Sequence, residues 1–285
     1  MRRRVLRGTV AVVALAALAV AGVAALLTWV VPERVSETCT VTLADGGRQS
    51  LDADQADNAA LITAVTVRRQ LPARAATIAL ATAVQESKLR NIDYGDRDSL
   101  GLFQQRPSQG WGTPEQVLDP HYATNAFLDG LVAVPDYTAL PVTEAAQRVQ
   151  RSAFPEAYAD HEPEGRAFAS ALTGNSPAAL TCRLPMPPEG DDDAVATAVV
   201  TRLQQDYGVD ATVEEGVVVV DAARLPGDDE ARLAWSVAQW AVATAAVTGA
   251  TTVEVADQVW ERADGNAAQW RPAGTDLAVG TVRIS

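Results

Sequence analysis

Glu86 closes a run from residue 75 that is dense in alanine and carries no other charge. A buried helix of small residues ending in one acid holds a carboxyl where low polarity favours its neutral, proton-donating form. The bland alternative is an ordinary helix-end glutamate paired with Arg90 four residues on. Asp93, Asp96 and Asp98 follow, and then Gly101-Leu102-Phe103-Gln104-Gln105. A second carboxylate there, Asp96 first, would suit a hydrolase that activates water. The same aspartates also serve turns and solvated surface. Trp111, in a glycine-flanked loop, is the candidate for stacking on a sugar. Tyr94 stays open between a cleft wall and packing, and Trp235 and Trp240 lie in a helical pattern and read as core.

Other chemistries find less support. His121 and His161 have no second His or Cys at ligand spacing, so no metal and no cofactor is expected. There is no Gly-rich phosphate loop and no Gly-x-Ser-x-Gly elbow. Asp+Glu outnumber Lys+Arg by 36 to 23, a formal charge of -13. That balance argues against nucleic acid as a partner, since phosphate binding needs a basic surface.

The elements that must position Glu86 are helical. Asp52 or Asp54 caps a helix over about 53–70, which Leu71-Pro72 breaks. Pro72 starts the next helix, with Ala75, Ala79, Ala83 and Glu86 down one face and apolar residues over most of the rest. A helix apolar nearly all round is central. Helix starts follow at Thr113 and Asp119, Thr143 caps 144–151, and a last helix runs to Leu172. Residues 183–193 read as a linker rich in Pro and Asp. Beyond it the order is α-β-β-α-β-β-β, a small α+β domain over 194–285.

The N-terminus has arginines at 2, 3, 4 and 7, and then 24 uncharged residues, 8–31. As a helix these would extend about 36 Å, long enough to span a bilayer. Residues 1–7 are expected in the cytoplasm, 8–31 as a single-pass anchor, and the bulk outside; cleavage within 8–31 as a signal peptide is the other reading. Outside the cytoplasm the two cysteines, Cys39 and Cys182, read as a disulfide closing a long loop. In the chain-entropy model such a bridge contributes on the order of 4 kcal/mol.

Gln85-Glu86-Ser87 followed by Gly101-Leu102-Phe103-Gln104-Gln105 resembles the lysozyme-like superfamily, and most of all its lytic transglycosylases and goose-type lysozymes. The wider run from Ala79 to Tyr158, with Arg106-Pro107-Ser108-Gln109-Gly110-Trp111-Gly112, is similar to actinobacterial membrane-anchored cell-wall lytic proteins. The resemblance covers about residues 53–172. It implies a mainly α lysozyme-like domain at 37–182, after one transmembrane helix and before the small α+β domain. It implies an enzyme that cuts the glycan strands of peptidoglycan, as a lytic transglycosylase or a muramidase. Glu86 would be the general acid and then base, and the substrate's own acetamido group would stabilise the cation. Ser87, Gln104 and Gln105 would hold the sugar, with Tyr94 and Trp111 beside them. The Asn-Ala-Gly segment with a tyrosine usual in transglycosylases is absent; Gln150-Arg151-Ser152 stands near its place. The alternative is an inactive peptidoglycan-binding or envelope and secretion assembly protein, with its C-terminal domain holding a protein partner that the sequence does not name.

Overall fold

Helix formation starts where the chain finds a cap. The computed structural model describes residues 36–152, 156–188, 192–263 and 268–285. In it α1 (Ala53–Arg68) begins behind Asp52, whose N–H donates to Gln55 Oε1 at 2.8 Å. This is one arm of a capping box. Helix α2 (Ala73–Ser87) follows Pro72, which is extended and ends nothing that a helix needs, because its missing N–H falls among the orphan donors of the first turn. Eleven of its fifteen residues are buried, so it is enclosed by neighbours rather than laid on a surface.

Those neighbours are α1, α4 (Pro120–Val132), α5 (Val142–Gln150) and α6 (Glu162–Leu172); the short α3 (Pro114–Leu118) precedes α4. Helix α6 comes closest because Gly165 carries no side chain. A Cβ there would sit 2.9 Å from Ala81 N and 3.0 Å from the Thr77 carbonyl.

Two antiparallel sheets complete the chain. The first has order β2-β1-β3, from β1 (Thr38–Thr42), β2 (Arg48–Asp52) and β3 (Leu180–Arg183). Cys39 stands opposite Cys182 in the β1–β3 register, and the two form a disulfide across 143 residues. After α7 (Asp192–Tyr207) come β4 (Thr212–Glu214), β5 (Val217–Asp221), α8 (Glu230–Thr248), β6 (Thr252–Val255), β7 (Gln258–Glu261), β8 (Arg271–Pro272) and β9 (Thr281–Ile284). These strands make one six-stranded sheet, order β4-β5-β9-β6-β7-β8.

The expected fold class, a mainly α domain after a transmembrane helix and before a separate small α+β domain, is therefore corrected. The described residues hold eight helices and two antiparallel sheets, and 36–285 forms one compact unit. The reason is α8. It is buried on nearly every face, from Leu233 through Ala245, and packs on α1, α6 and β3 on one side and β6 and β9 on the other. The strands β1 and β3 pair although they are far apart in sequence, so no local pattern announces the pairing. Among the described residues no helix is long and apolar enough to cross a membrane. The basic segment 1–7 and the anchor expected at 8–31 lie outside the described residues, as do 189–191 of the expected linker.

A buried ionic chain also crosses the unit. Asp206, with a side chain 0% exposed, accepts from Trp240 Nε1 at 2.8 Å and Arg202 Nε at 2.9 Å, and meets His121 Nε2 at 2.8 Å. Arg202 Nη1 reaches Asp57 of α1 at 2.9 Å. Four helices, α1, α4, α7 and α8, are pinned at this one point. Arg202→Ala would leave two carboxylates buried without their cation. It is expected to lower stability by about 3–5 kcal/mol, read as a shift in the urea midpoint at constant slope.

Candidate active site around Glu86

The end of α2 is turned sharply. Lys88 and Leu89 both adopt left-handed backbone, φ 55° each, a conformation that costs side-chain-bearing residues roughly 1–2 kcal/mol apiece. Helix α1 holds the turn in place. Gln55 Nε2 donates to the Lys88 carbonyl and Asn58 Nδ2 to the Leu89 carbonyl, both at 2.8 Å. Strain held by neighbouring structure in this way gathers at functional sites.

Glu86 sits two residues before Lys88, where this turn starts, and is half-buried. Arg90 does not pair with it. The Arg90 guanidinium turns to Asp52 and Asp54, at 2.6 and 2.8 Å, and among the described residues no cation forms an ion pair with Glu86. Its partner is a phenol: Tyr158 Oη donates to Glu86 Oε1 at 2.7 Å. Tyr158 lies in a short 3-10 turn, Ala157–His161, and is fully buried. Burial first, and then the Glu86 charge and the hydrogen bond to it, push the phenol well above the ordinary tyrosine range. It therefore stays a donor at any working pH. Beside it, Gln85 Oε1 meets His161 Nε2 at 2.9 Å.

The segment 101–105 is built against the same helix end. Gly101 needs φ +75° and has no room for a Cβ, which would stand 2.3 Å from the Val117 carbonyl. Leu100 and Gln105 exchange backbone hydrogen bonds of 3.0 Å, closing the segment into a tight loop. Ser87 Oγ is within reach of the Leu102 carbonyl at 2.7 Å and the Ala83 carbonyl at 3.1 Å. The buried serine thus ties Glu86's helix to this loop. Phe103 is core, stacked on Phe127 with ring centroids 4.6 Å apart.

The remaining candidates divide. Gln104 is half-buried, with Nε2 donating to the carbonyls of Tyr94 and Gly101 at 3.3 Å, so it braces the loop. Tyr94 is exposed, at 69%. Gln105 turns into the core and donates to the Ala123 carbonyl at 3.1 Å, while its Oε1 is buried without a hydrogen-bond partner among the described residues. The Asp96 side chain is 91% exposed, with Arg97 at 3.9 Å, and Asp93 is exposed. Asp98 is fully committed: it accepts from Ser108 N–H at 2.8 Å, Arg106 Nε at 2.8 Å and Ser108 Oγ at 3.0 Å. Led by the Ser108 N–H, these bonds hold its carboxyl well below the usual range. Trp111 is half-buried and lines a groove with Gln150, whose Nε2 donates to the Phe103 carbonyl at 2.7 Å.

Tyr158 and Gln150 are the residues that sequence reasoning missed as members of the site. Nothing local marks Tyr158, since its bond to Glu86 spans 72 positions. Among the described residues no group of three His, Cys, Asp or Glu could hold a metal ion.

No family model matches the chain, and a search of curated proteins finds no match. The likeness to lysozyme-like proteins rests on its motifs alone.

Tyr158→Phe keeps the ring and removes the donor. It is expected to lower kcat for any reaction that uses Glu86 by about 10–100-fold, the worth of one hydrogen bond to a charged group. KM should change little and the chain should still unfold cooperatively.

Proposed function

We propose that the protein is a glycosidic-bond-cleaving enzyme of the cell wall, acting on peptidoglycan glycan strands outside the cytoplasm. One observation carries the reading: Glu86 is half-buried, bonded by a buried tyrosine, and without a counter-ion among the described residues. A carboxyl used for packing is normally solvated or paired with a cation. This one is fixed in direction and left with an oxygen to exchange a proton. The disulfide supports an oxidising compartment.

In this reading Glu86 protonates the oxygen between muramic acid C1 and the C4 of the next sugar, and that bond breaks. The neighbouring acetamido oxygen stabilises the cation at C1. The muramic 6-hydroxyl then attacks C1, and the Glu86 carboxylate takes the hydroxyl proton, which restores the acid. The product is a 1,6-anhydro end, with no net use of water. A single-carboxylate route is favoured because Asp98 is saturated by Arg106 and Ser108 and Asp96 points to solvent. Tyr158 holds the Glu86 carboxylate in place through both steps. Ser87 acts at one remove, by fixing the helix end to the loop 101–105.

The test is the release of soluble fragments from dye-labelled sacculi by the purified full-length chain in detergent. Release that requires the chain supports the reading. Intact sacculi after prolonged digestion would sink it and leave a binding or assembly role in its place.

A further inference from the structure

A groove of about 650 Å³ lies between the 109–111 loop and the C-terminal end of α5. Trp111 and Gly110 form one wall, and Arg148, Gln150 and Arg151 line it from the C-terminal end of α5. Among the described residues no carboxylate lines it, although the chain as a whole carries a formal charge of -13. Two guanidinium groups in an otherwise acidic protein make a local reversal of charge. Arg148 shares one nitrogen with Glu144 at 2.5 Å, one turn back, and remains partly exposed. Arg151 is exposed and forms no ion pair with a described residue.

Two routes join this groove to Glu86. Arg151 adopts left-handed backbone, φ 53°, which ends α5 and hands the chain to Ser152. The Ser152 side chain hydrogen-bonds the Tyr158 phenol that in turn holds Glu86. From the other side Gln150 grips the Phe103 carbonyl, in the loop that Ser87 ties to the acid's helix. Arg151 is thus one peptide unit and two hydrogen bonds from the Glu86 carboxylate.

An indole face takes the apolar face of a sugar, and a guanidinium fork takes a carboxylate. A ligand that offers both is a sugar bearing an acidic substituent. Resting on the glycan-cleavage reading above, we infer that the groove lined by Trp111, Arg148 and Arg151 binds the carboxylates of the peptide stems on the strand. It thereby selects stem-bearing glycan over bare glycan.

The test uses the full-length Glu86→Gln chain in detergent and isothermal titration calorimetry. The ligands are a stem-bearing peptidoglycan tetrasaccharide and chitotetraose, a glycan of the same length that carries no carboxylate. The stem-bearing ligand is expected to bind about ten-fold more tightly at low salt, with the preference shrinking as salt screens the arginines. Adding Arg148→Gln and Arg151→Gln should bring the two affinities within about two-fold of each other. Arg148→Lys with Arg151→Lys, which keeps the charge and loses the fork, should retain part of the preference. Equal affinities in the Glu86→Gln chain, no binding of either ligand, or a preference that survives in the Gln variant would each overturn the assignment. Its failure is separable from failure of the cleavage reading. Cleavage by the wild type without a binding preference overturns only the groove, and a preference without cleavage overturns only the enzyme.

Discussion

Glu86→Gln is expected to cut the release of soluble fragments from sacculi by about 10²–10⁴-fold, the usual contribution of a general acid and base. Glutamine has the same shape as glutamate. Its Oε1 can still accept from Tyr158, so the geometry that the 2.7 Å bond reports should survive. What it cannot do is deliver and reclaim a proton. No cation depends on Glu86 among the described residues, and Arg90 is already held by Asp52 and Asp54. The melting temperature should therefore shift little, within the roughly 0.5 kcal/mol of an ordinary surface change. A paired assay reads both quantities. Loss of release at constant Tm places Glu86 in the chemistry, and equal release by the variant removes it.

The second large effect is on folding. A chain cut after Leu184 is expected not to fold as a stable unit. The cut removes α7, α8 and the six-stranded sheet, and α8 is the face on which α1 and α6 are buried. Leu233, Val237 and Trp240 go with it, each fully buried and each worth about 1.5–3 kcal/mol of burial. Polar debts also appear. Gln239 Oε1 accepts from the backbone N–H groups of Ala179 and Leu180, and its Nε2 donates to the Ala171 carbonyl. Ser236 donates to the Leu172 carbonyl at 2.6 Å, and Trp270 Nε1 to the Leu180 carbonyl at 2.8 Å. Asp57 loses Arg202. Against a whole-domain stability of about 5–15 kcal/mol these losses are decisive. The expected measurement is a circular dichroism melt without a cooperative transition. A truncated chain that unfolds in two states and still cuts glycan would show that 185–285 is dispensable.

The pieces that were legible in the sequence are local ones. Asp52 as a cap, Pro72 as a start and the apolar run before Glu86 all act within a turn or two, and α1 and α2 form where those signals stand. Glu215-Gly216 turns β4 into β5, both residues at positive φ, in the same local way. The cysteine pairing was readable from compartment and number. What was hidden is non-local. β9 inserts between β5 and β6, and β3 comes back to β1, through pairings that no short window contains. Helix α8 carries three polar residues, Ser236, Gln239 and Thr244, that are all buried. Their partners are backbone groups or, for Ser236, also the Tyr207 hydroxyl. The separate C-terminal domain was expected from the Pro- and Asp-rich stretch 183–193, which says nothing of the contacts that α8 makes. At the site the same limit holds. Spacing alone favoured Arg90 beside Glu86, but Asp52 and Asp54 at the start of α1 outcompete Glu86 for it. The residue that does hold Glu86 comes from Tyr158 in a different element.

The central claim is that Glu86 cuts glycan as a lone acid and base. Digestion of sacculi in ¹⁸O-labelled water, followed by mass spectrometry of the released muropeptides, tests it most directly. The account predicts 1,6-anhydro ends that carry no label, made by the wild type and not by Glu86→Gln. Labelled reducing ends would contradict it by showing that water is the nucleophile, and an absence of released fragments would contradict it altogether.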